Sequence, residues 1–349
     1  MKNTYNIHIT NIESAITPAD LKAEYPISEA GSETVFQSRR TINNILEGND
    51  ERILAIVGPC SIHNPESALE YAEKLLRIQE HFSDRIFIVM RVYFEKPRTT
   101  IGWRGMIIDP DLDGSYNINN GLRQARNLLV KITDMGLPTA SEMLDPIIPQ
   151  FISDLISWAA VGARTTESQI HRNMVSGLSM PVGFKNGTDG SIQTAVDALQ
   201  SAINPHSFLG IDEDGKICLL HTSGNPSVHL ILRGGRQGPN YYEEYVEDAA
   251  ELMKKSGLNP ALLVDCSHAN SAKKPDKQMR VLRSVVDQRK RHQEIKGFML
   301  ESNLFAGNQS IPENPRDLQY GISITDSCIG WEETEEMLKF VWQEMQLLN

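Results

Sequence analysis

The chain has 349 residues, 40% hydrophobic and 23% charged, the balance of a soluble globular protein. Against 34 basic residues stand 45 acidic ones, and the net charge of -11 argues against nucleic acid or an anionic membrane as the main partner. No apolar run reaches membrane-spanning length, the start MKNTYNIHIT lacks the apolar core of a signal peptide, and four scattered cysteines (Cys60, Cys218, Cys266, Cys328) suggest no disulfide framework; a reducing cytoplasm is expected.

Residues 1–50 read as an N-terminal extension. Tyr5 to Thr10 alternates apolar and polar, as a short strand would. Thr17 as cap and Pro18 in the first turn predict a helix start, and Glu33 to Leu46 predicts a helix that packs on the body. From residue 51 to 349, short β-rich runs alternate with amphipathic helical stretches, the pattern of parallel βαβ units. The runs are Ile53–Gly58, Ile86–Val92, Leu137–Met143, Trp158–Arg164, Pro181–Asn186, Val228–Gly234, Ala261–His268 and Lys296–Asn303. Helical patterns such as Glu66–His81, Gly121–Met135 and Tyr242–Ser256 lie between them. Eight such units predict an α/β fold of the (β/α)8 TIM-barrel class, which needs roughly 250 residues. An open doubly wound sheet is the runner-up, but no GxGxxG follows the first run. One stretch breaks the rhythm. Between the fifth barrel helix and the sixth barrel strand, two apolar runs in Ser207–Leu220 flank Asp214-Gly215, which predicts an inserted hairpin over about residues 207–225.

In barrels of this kind the chemistry sits at the C-terminal ends of the strands. Those ends carry Cys60, Arg91, Glu142, Arg164, Lys185, Arg233, His268 and Glu301, each polar or ionisable after an apolar run. A single charged strand end is usually a solvated boundary; eight in register point to one rim. Cys60, His268 and Glu301 are ligand types for a divalent transition metal, and Asp326 in Ser323-Ile-Thr-Asp326 is the candidate fourth. No two of them are close in sequence, so no local spacing supports the site, and a buried cysteine is more often inert packing. The other set is cationic: Arg91, Lys96, Arg98, Arg164, Lys185 and Arg233 suit phosphate and carboxylate groups. Thr165-Thr166-Glu167-Ser168 reads as a helix N-terminus that would assist anion binding beside Arg164.

Taken together, these residues resemble a known family. Gly58-Pro-Cys-Ser-Ile-His63, Met90-Arg-Val-Tyr-Phe-Glu-Lys-Pro-Arg-Thr-Thr100, Gly162-Ala-Arg-Thr-Thr-Glu-Ser168, Gly183-Phe-Lys-Asn-Gly-Thr-Asp189, Leu232-Arg-Gly-Gly235, Asp265-Cys-Ser-His-Ala-Asn270 and Gly307-Asn-Gln309 look like the type I DAHP (3-deoxy-D-arabino-heptulosonate-7-phosphate) synthases. The resemblance covers nearly the whole chain, extension and hairpin included. It implies a cytoplasmic transferase that condenses phosphoenolpyruvate with erythrose 4-phosphate, the first step of the shikimate pathway. It implies one divalent metal ion (manganese, iron, cobalt or zinc) on Cys60, His268, Glu301 and Asp326. Arg91, Glu142, Ala163, Arg164, Lys185 and Arg233 match phosphoenolpyruvate-binding positions, and Lys96, Pro97, Arg98 and Thr99 match the erythrose 4-phosphate segment. Lys96, Cys60 and Asp326 take the catalytic roles. The relative that uses arabinose 5-phosphate is shorter, lacks the hairpin and carries a different motif at Lys96–Thr99. The resemblance further implies feedback inhibition by an aromatic amino acid at Pro149, Gln150, Ser179 and Gly210. Glycine at position 210, where phenylalanine-responsive members have serine, leaves room for a phenol oxygen and points to tyrosine. A homodimer or homotetramer is implied in the same way. A phosphorylated-metabolite binding module and a different metal-dependent barrel aldolase are the competing classes; phosphate release that needs both substrates and is lost with chelator separates them.

Overall fold

Thr17 and Pro18 open the first helix as their chemistry dictates: the Thr17 hydroxyl accepts the Asp20 amide, and proline occupies a first-turn position where no N–H is needed. The computed structural model of the protein describes residues 4–98 and 100–346. Its elements in chain order are α1 (Pro18–Glu24), α2 (Glu29–Glu47), β1 (Ile53–Gly58), α3 (Pro65–Phe82), β2 (Ile86–Arg91), α4 (Ile118–Asp134), β3 (Thr139–Glu142), α5 (Pro149–Ile152), β4 (Trp158–Val161) and α6 (Gln169–Val175). These are followed by β5 (Val182–Lys185), α7 (Gln193–Ala202), β6 (Ser207–Ile211), β7 (Ile217–His221), β8 (Val228–Leu232), α8 (Glu243–Lys255), β9 (Leu262–Asp265), α9 (Gln278–Arg289), β10 (Ile295–Glu301) and α10 (Trp331–Gln346).

Eight strands close into a parallel barrel in the order β1-β2-β3-β4-β5-β8-β9-β10, with β10 returning to β1. Burial on both faces explains why these runs read as nearly continuous apolar sequence. The helices cover the outside, where the larger apolar cluster lies. A second cluster fills the barrel and includes Leu54, Ile56, Val89, Tyr93, Trp158, Ile231, Leu263 and Met299.

That inner cluster also contains Ile42, Ile45 and Leu46 of α2. Side chains at the C-terminal end of the extension's helix therefore close the barrel core at the end where the strands begin, and Asn259, just before β9, donates to Leu46 O there. Its ends are fixed locally: Ser28 Oγ accepts the Gly31 amide at 2.9 Å, and Gly48 at φ +86° takes the left-handed stop that favours glycine. Arg39 donates to the carbonyls of Ser153 and Ile156, tying α2 to the segment before β4. Buried Arg126 of α4 pairs bidentately with Asp154 and donates to the carbonyls of Tyr25 and Phe151.

The hairpin forms as its sequence predicts, with β6 and β7 antiparallel and Gly215 at φ +74° in the turn. Leu209, Ile217 and Leu219 on it are exposed. It meets the extension through Ala19 N to Glu213 O at 2.8 Å and Lys22 Nζ to Glu213 at 2.8 Å. The expected strand at Tyr5–Thr10 is not formed. The segment turns at Asn6, where φ is +55°, and Ile9 N donates to Asn6 O. Alternation alone makes no strand without a neighbouring edge to satisfy its backbone, and Tyr5, Ile7, Ile9 and Ile12 stay exposed. All four cysteines are free thiols. Among the described residues no helix is long and apolar enough to cross a membrane.

Candidate active site

Parallel closure aligns all eight strand ends at one rim, and the register sets who meets whom there: Gly58 stands beside Glu301, and Lys185 beside Ile231. Arg91, Glu142, Lys185 and Glu301 are the last residues of β2, β3, β5 and β10, while Cys60, Arg164, Arg233 and His268 follow β1, β4, β8 and β9 by one to three residues. Cys60 Sγ and carboxylate oxygens of Glu301 and Asp326 lie within 4.8 Å of one another. His268 stands at the edge of this trio, its Nε2 3.7 Å from Glu301 Oε1. A thiol, an imidazole and two carboxylates form a donor set that suits a divalent transition metal, so the residues present fit such an ion. Burial, with Glu301 next, pushes the Cys60 thiol above its ordinary range, while Lys96 works the other way. Burial also opposes the charge on Asp326, but His268 and Lys96 outweigh it and hold that carboxyl low. A comparable trio, Glu243, Glu247 and His292, lies outside the strand ends; there Glu243 is already paired with Arg291 and His292.

Beside the Cys60 cluster is a cavity of about 150 Å³. It is lined by Lys96, Pro97, Arg98, Glu142, Ala163, Arg164, Lys185, Arg233, His268 and Asp326, together with Gly162, Thr188, Lys273 and Thr325. Six Lys and Arg side chains there face two carboxylates, an excess of positive charge inside an acidic protein. Larger hollows of about 620 and 720 Å³ lie around Arg123 and around Arg52, Arg85 and Arg289, away from these strand ends. Arg91 is fully buried beneath the site, its guanidinium 4.0 Å over the Tyr93 ring and 3.3 Å from Glu301 Oε1. Among the described residues Arg91 Nη1, the Tyr93 hydroxyl and Glu142 Oε1 are buried without a hydrogen-bond partner. Unsatisfied buried groups cost free energy and mark a place where a polar ligand is accommodated. A Cβ at Gly162 would stand 2.4 Å from Glu142 Oε1, so any larger residue there must displace that carboxylate.

The sequence reading missed several residues that shape the rim. Asp265, fully buried, presents Oδ2 to Lys185 Nζ at 3.1 Å and to His268 Nδ1 at 2.9 Å. Three buried asparagines cross-link the ends of β5, β8 and β9. Asn186 Oδ1 accepts Arg233 N, Asn240 Oδ1 accepts Gly234 N, and Asn270 Nδ2 donates to the carbonyls of Leu232 and Asp265. Asn240 joins the other two, through its Nδ2 to Asn186 and its backbone N–H to Asn270. The expected helix start beside Arg164 is corrected. Residues 163–167 form a turn closed by the Thr165 and Thr166 amides on Gly162 O, and α6 begins only at Gln169, so Arg164 is not at a helix end. Thr99 lies outside the described residues.

Glu95 is a further buried acid, 3% exposed, accepting the Leu144 and Asp145 amides at 3.4 and 3.2 Å. Burial, with Asp145 next, pushes it up to about 8 from an ordinary 4.5. An acid whose folded value is raised is neutral in the fold while it ionises in the unfolded chain. Stability is therefore lost as pH rises from about 4.5 to about 8 and is flat above, at about 1.4 kcal/mol for each pH unit of that window. Glu95→Gln should remove this loss, so that urea melts of the variant and the wild type diverge steadily between pH 5 and 8. Parallel curves would show that Glu95 is ionised in the fold.

Comparison with known proteins follows the same line. Residues 24–339 match the family model described as the DAHP synthetase I family. The chain is 50% identical over 341 residues to the Tyr-sensitive phospho-2-dehydro-3-deoxyheptonate aldolase of Escherichia coli strain K12, covering 97% of this chain and 96% of that one. It is 52% identical over 339 residues to the Trp-sensitive enzyme of Enterobacter agglomerans, covering 97% of each. The solved structure of phospho-2-dehydro-3-deoxyheptonate aldolase from Francisella tularensis SCHU S4 superposes with a TM-score of 0.96 at 50% identity, covering 98% of this chain and 99% of that one.

Proposed function

The chain belongs to the DAHP synthetase I family, and from that premise we propose how its site condenses phosphoenolpyruvate with erythrose 4-phosphate. The observation that carries the reading is the juxtaposition of a cavity rich in Lys and Arg with a thiol-carboxylate cluster at the barrel's rim. Cys60, His268, Glu301 and Asp326 are assigned to one divalent metal ion, of manganese, iron, cobalt or zinc. When bound, the ion supplies Lewis-acid stabilisation of the charge that develops on the aldehyde oxygen.

Arg91, Arg164, Lys185 and Arg233, with Glu142 and Ala163, are assigned to phosphoenolpyruvate. Guanidinium forks match its carboxylate and phosphate, and two fixed anchors orient carbon 3 toward the second substrate. Lys96, Pro97, Arg98 and Thr99 are assigned to erythrose 4-phosphate. Carbon 3 forms the new bond to the aldehyde carbon, water adds at carbon 2, and phosphate leaves by C–O cleavage. Lys96 Nζ lies 3.0 Å from Cys60 O and 3.2 Å from Cys60 Sγ. The Lys96 ammonium, beside Cys60 and close to the Glu301 carboxylate, is assigned the proton that the aldehyde oxygen takes as it becomes an alkoxide. Cys60 and Asp326 would share the catalytic role by holding the metal.

The test is phosphate release, measured with each substrate omitted in turn and with chelator present. Release should require both substrates, cease with chelator and return with a divalent metal. Turnover that continues in chelator, or that accepts only arabinose 5-phosphate, would sink the reading.

For regulation, we propose an aromatic amino acid site formed by Pro149, Gln150, Ser179 and Gly210, with tyrosine as inhibitor. The extension and hairpin that the site needs are in contact through Glu213. A Cβ at Gly210 would stand 2.4 Å from Leu220 Cδ1, so a serine there must displace that side chain. Inhibition assays should show tyrosine acting and phenylalanine not, and Gly210→Ser should move the preference toward phenylalanine; the reverse order in the wild type would refute tyrosine. The exposed apolar residues of the hairpin and of the N-terminal segment support a homodimer or homotetramer. A cytoplasmic enzyme fits the free cysteines.

A further inference from the structure

The group that ties the two halves of the site together is neither a proposed metal ligand nor a substrate contact. Asp265 ends β9 and is fully buried. Its Oδ1 is anchored by the Ser267 amide at 3.0 Å and the Ser267 hydroxyl at 2.5 Å. This leaves Oδ2 as the oxygen that faces both Lys185 Nζ, at 3.1 Å, and His268 Nδ1, at 2.9 Å. A carboxylate and a hydroxyl beside Nδ1 keep the imidazole proton on that nitrogen, so Nε2 turns its lone pair toward Glu301. The backbone holds His268 to this geometry in a left-handed conformation, φ +53°, that non-glycine residues seldom adopt.

We propose that Asp265 is a positioning residue that couples metal binding to phosphoenolpyruvate binding, because one carboxylate oxygen serves the metal-side histidine and the anion-side lysine at once. The inference rests on the roles assigned above to His268 and Lys185. Without a cation at His268 Nε2, the carboxylate neutralises Lys185 and its charge opposes an incoming anion. A cation there polarises the imidazole N–H, draws Oδ2 toward Nδ1 and leaves the Lys185 ammonium to the substrate. The metal should therefore tighten phosphoenolpyruvate, and by linkage phosphoenolpyruvate should tighten the metal by the same factor.

Calorimetry of phosphoenolpyruvate binding, with the full-length protein metal-free and loaded with manganese(II), tests this. The wild type should bind phosphoenolpyruvate about 5–150-fold tighter with the metal present. Asp265→Asn should weaken manganese binding by about 10–100-fold and bring the coupling factor close to one. The decisive measurement is the metal-free variant, which should bind phosphoenolpyruvate more tightly than the metal-free wild type, since Lys185 has lost its counter-charge. Mere structural damage would weaken that binding, and such a result, or coupling retained in Asp265→Asn, overturns the proposal. If circular dichroism shows that Asp265→Asn does not fold, Ser267→Ala decides: it keeps the carboxylate but frees Oδ1, and its coupling factor should shrink. An unchanged factor there also overturns the proposal. A wild type that binds neither ligand instead refutes the site assignment on which the proposal rests.

Discussion

Cys60→Ala is expected to leave a folded protein that retains no metal after dialysis and turns over at least about 100-fold more slowly. The loss follows from removing the thiol of the proposed donor set, whose members come from the segments just after β1 and β9, the end of β10 and the segment after β10. Lewis-acid stabilisation is worth several kcal/mol, and each 1.4 kcal/mol or so is tenfold in rate. The fold should survive because the substitution removes a single buried sulfur, and Lys96 keeps its second partner, the Cys60 carbonyl at 3.0 Å. Elemental analysis, circular dichroism melts and the phosphate-release assay check the three parts separately. Full turnover by metal-free Cys60→Ala would remove the metal assignment.

Ile45→Asp should be the most damaging single change outside the site. Ile45 is 1% exposed and packs among the residues that fill the barrel. A carboxylate there meets apolar side chains and loses its hydration without a partner, a cost on the order of 4–5 kcal/mol or more. That is a large fraction of the roughly 5–15 kcal/mol by which a domain is stable. The control is Ile12→Asp in the same extension. Ile12 is 77% exposed, and the change should stay within about 0.5 kcal/mol. Equal effects of the two substitutions in urea melts would mean that α2 is an appendage that does not close the barrel core.

The apolar runs declared the strands because a strand buried on both faces has no polar side to alternate with. β1 begins and ends where its run does, and most other strand boundaries shift by one to three residues, as at Trp158–Arg164, where β4 stops at Val161. Polar strand ends were legible for the same reason, as abrupt breaks in apolar runs. The alternating segment at Tyr5–Thr10 misled because its pattern describes one strand and says nothing of a partner. Thr165–Ser168 did announce a helix start, since Ser168 is the N-cap of α6, but the threonines close a turn first and leave Arg164 four residues short of it.

From its sequence alone, the chain determined that it would form a barrel with a hairpin insert, and that metal-ligand and anion-binding residue types would stand at the strand ends. Those features are local: they depend on hydrophobic period, turn chemistry and position along each run. The tertiary structure decided which side chains meet. It brought Cys60 to Glu301 and Asp326, laid the end of α2 over the barrel core, and let Asp265 and three asparagines lock neighbouring strand ends. No spacing in the chain encodes such contacts, because barrel closure joins residues more than two hundred positions apart through backbone hydrogen bonds that are indifferent to the side chains they carry.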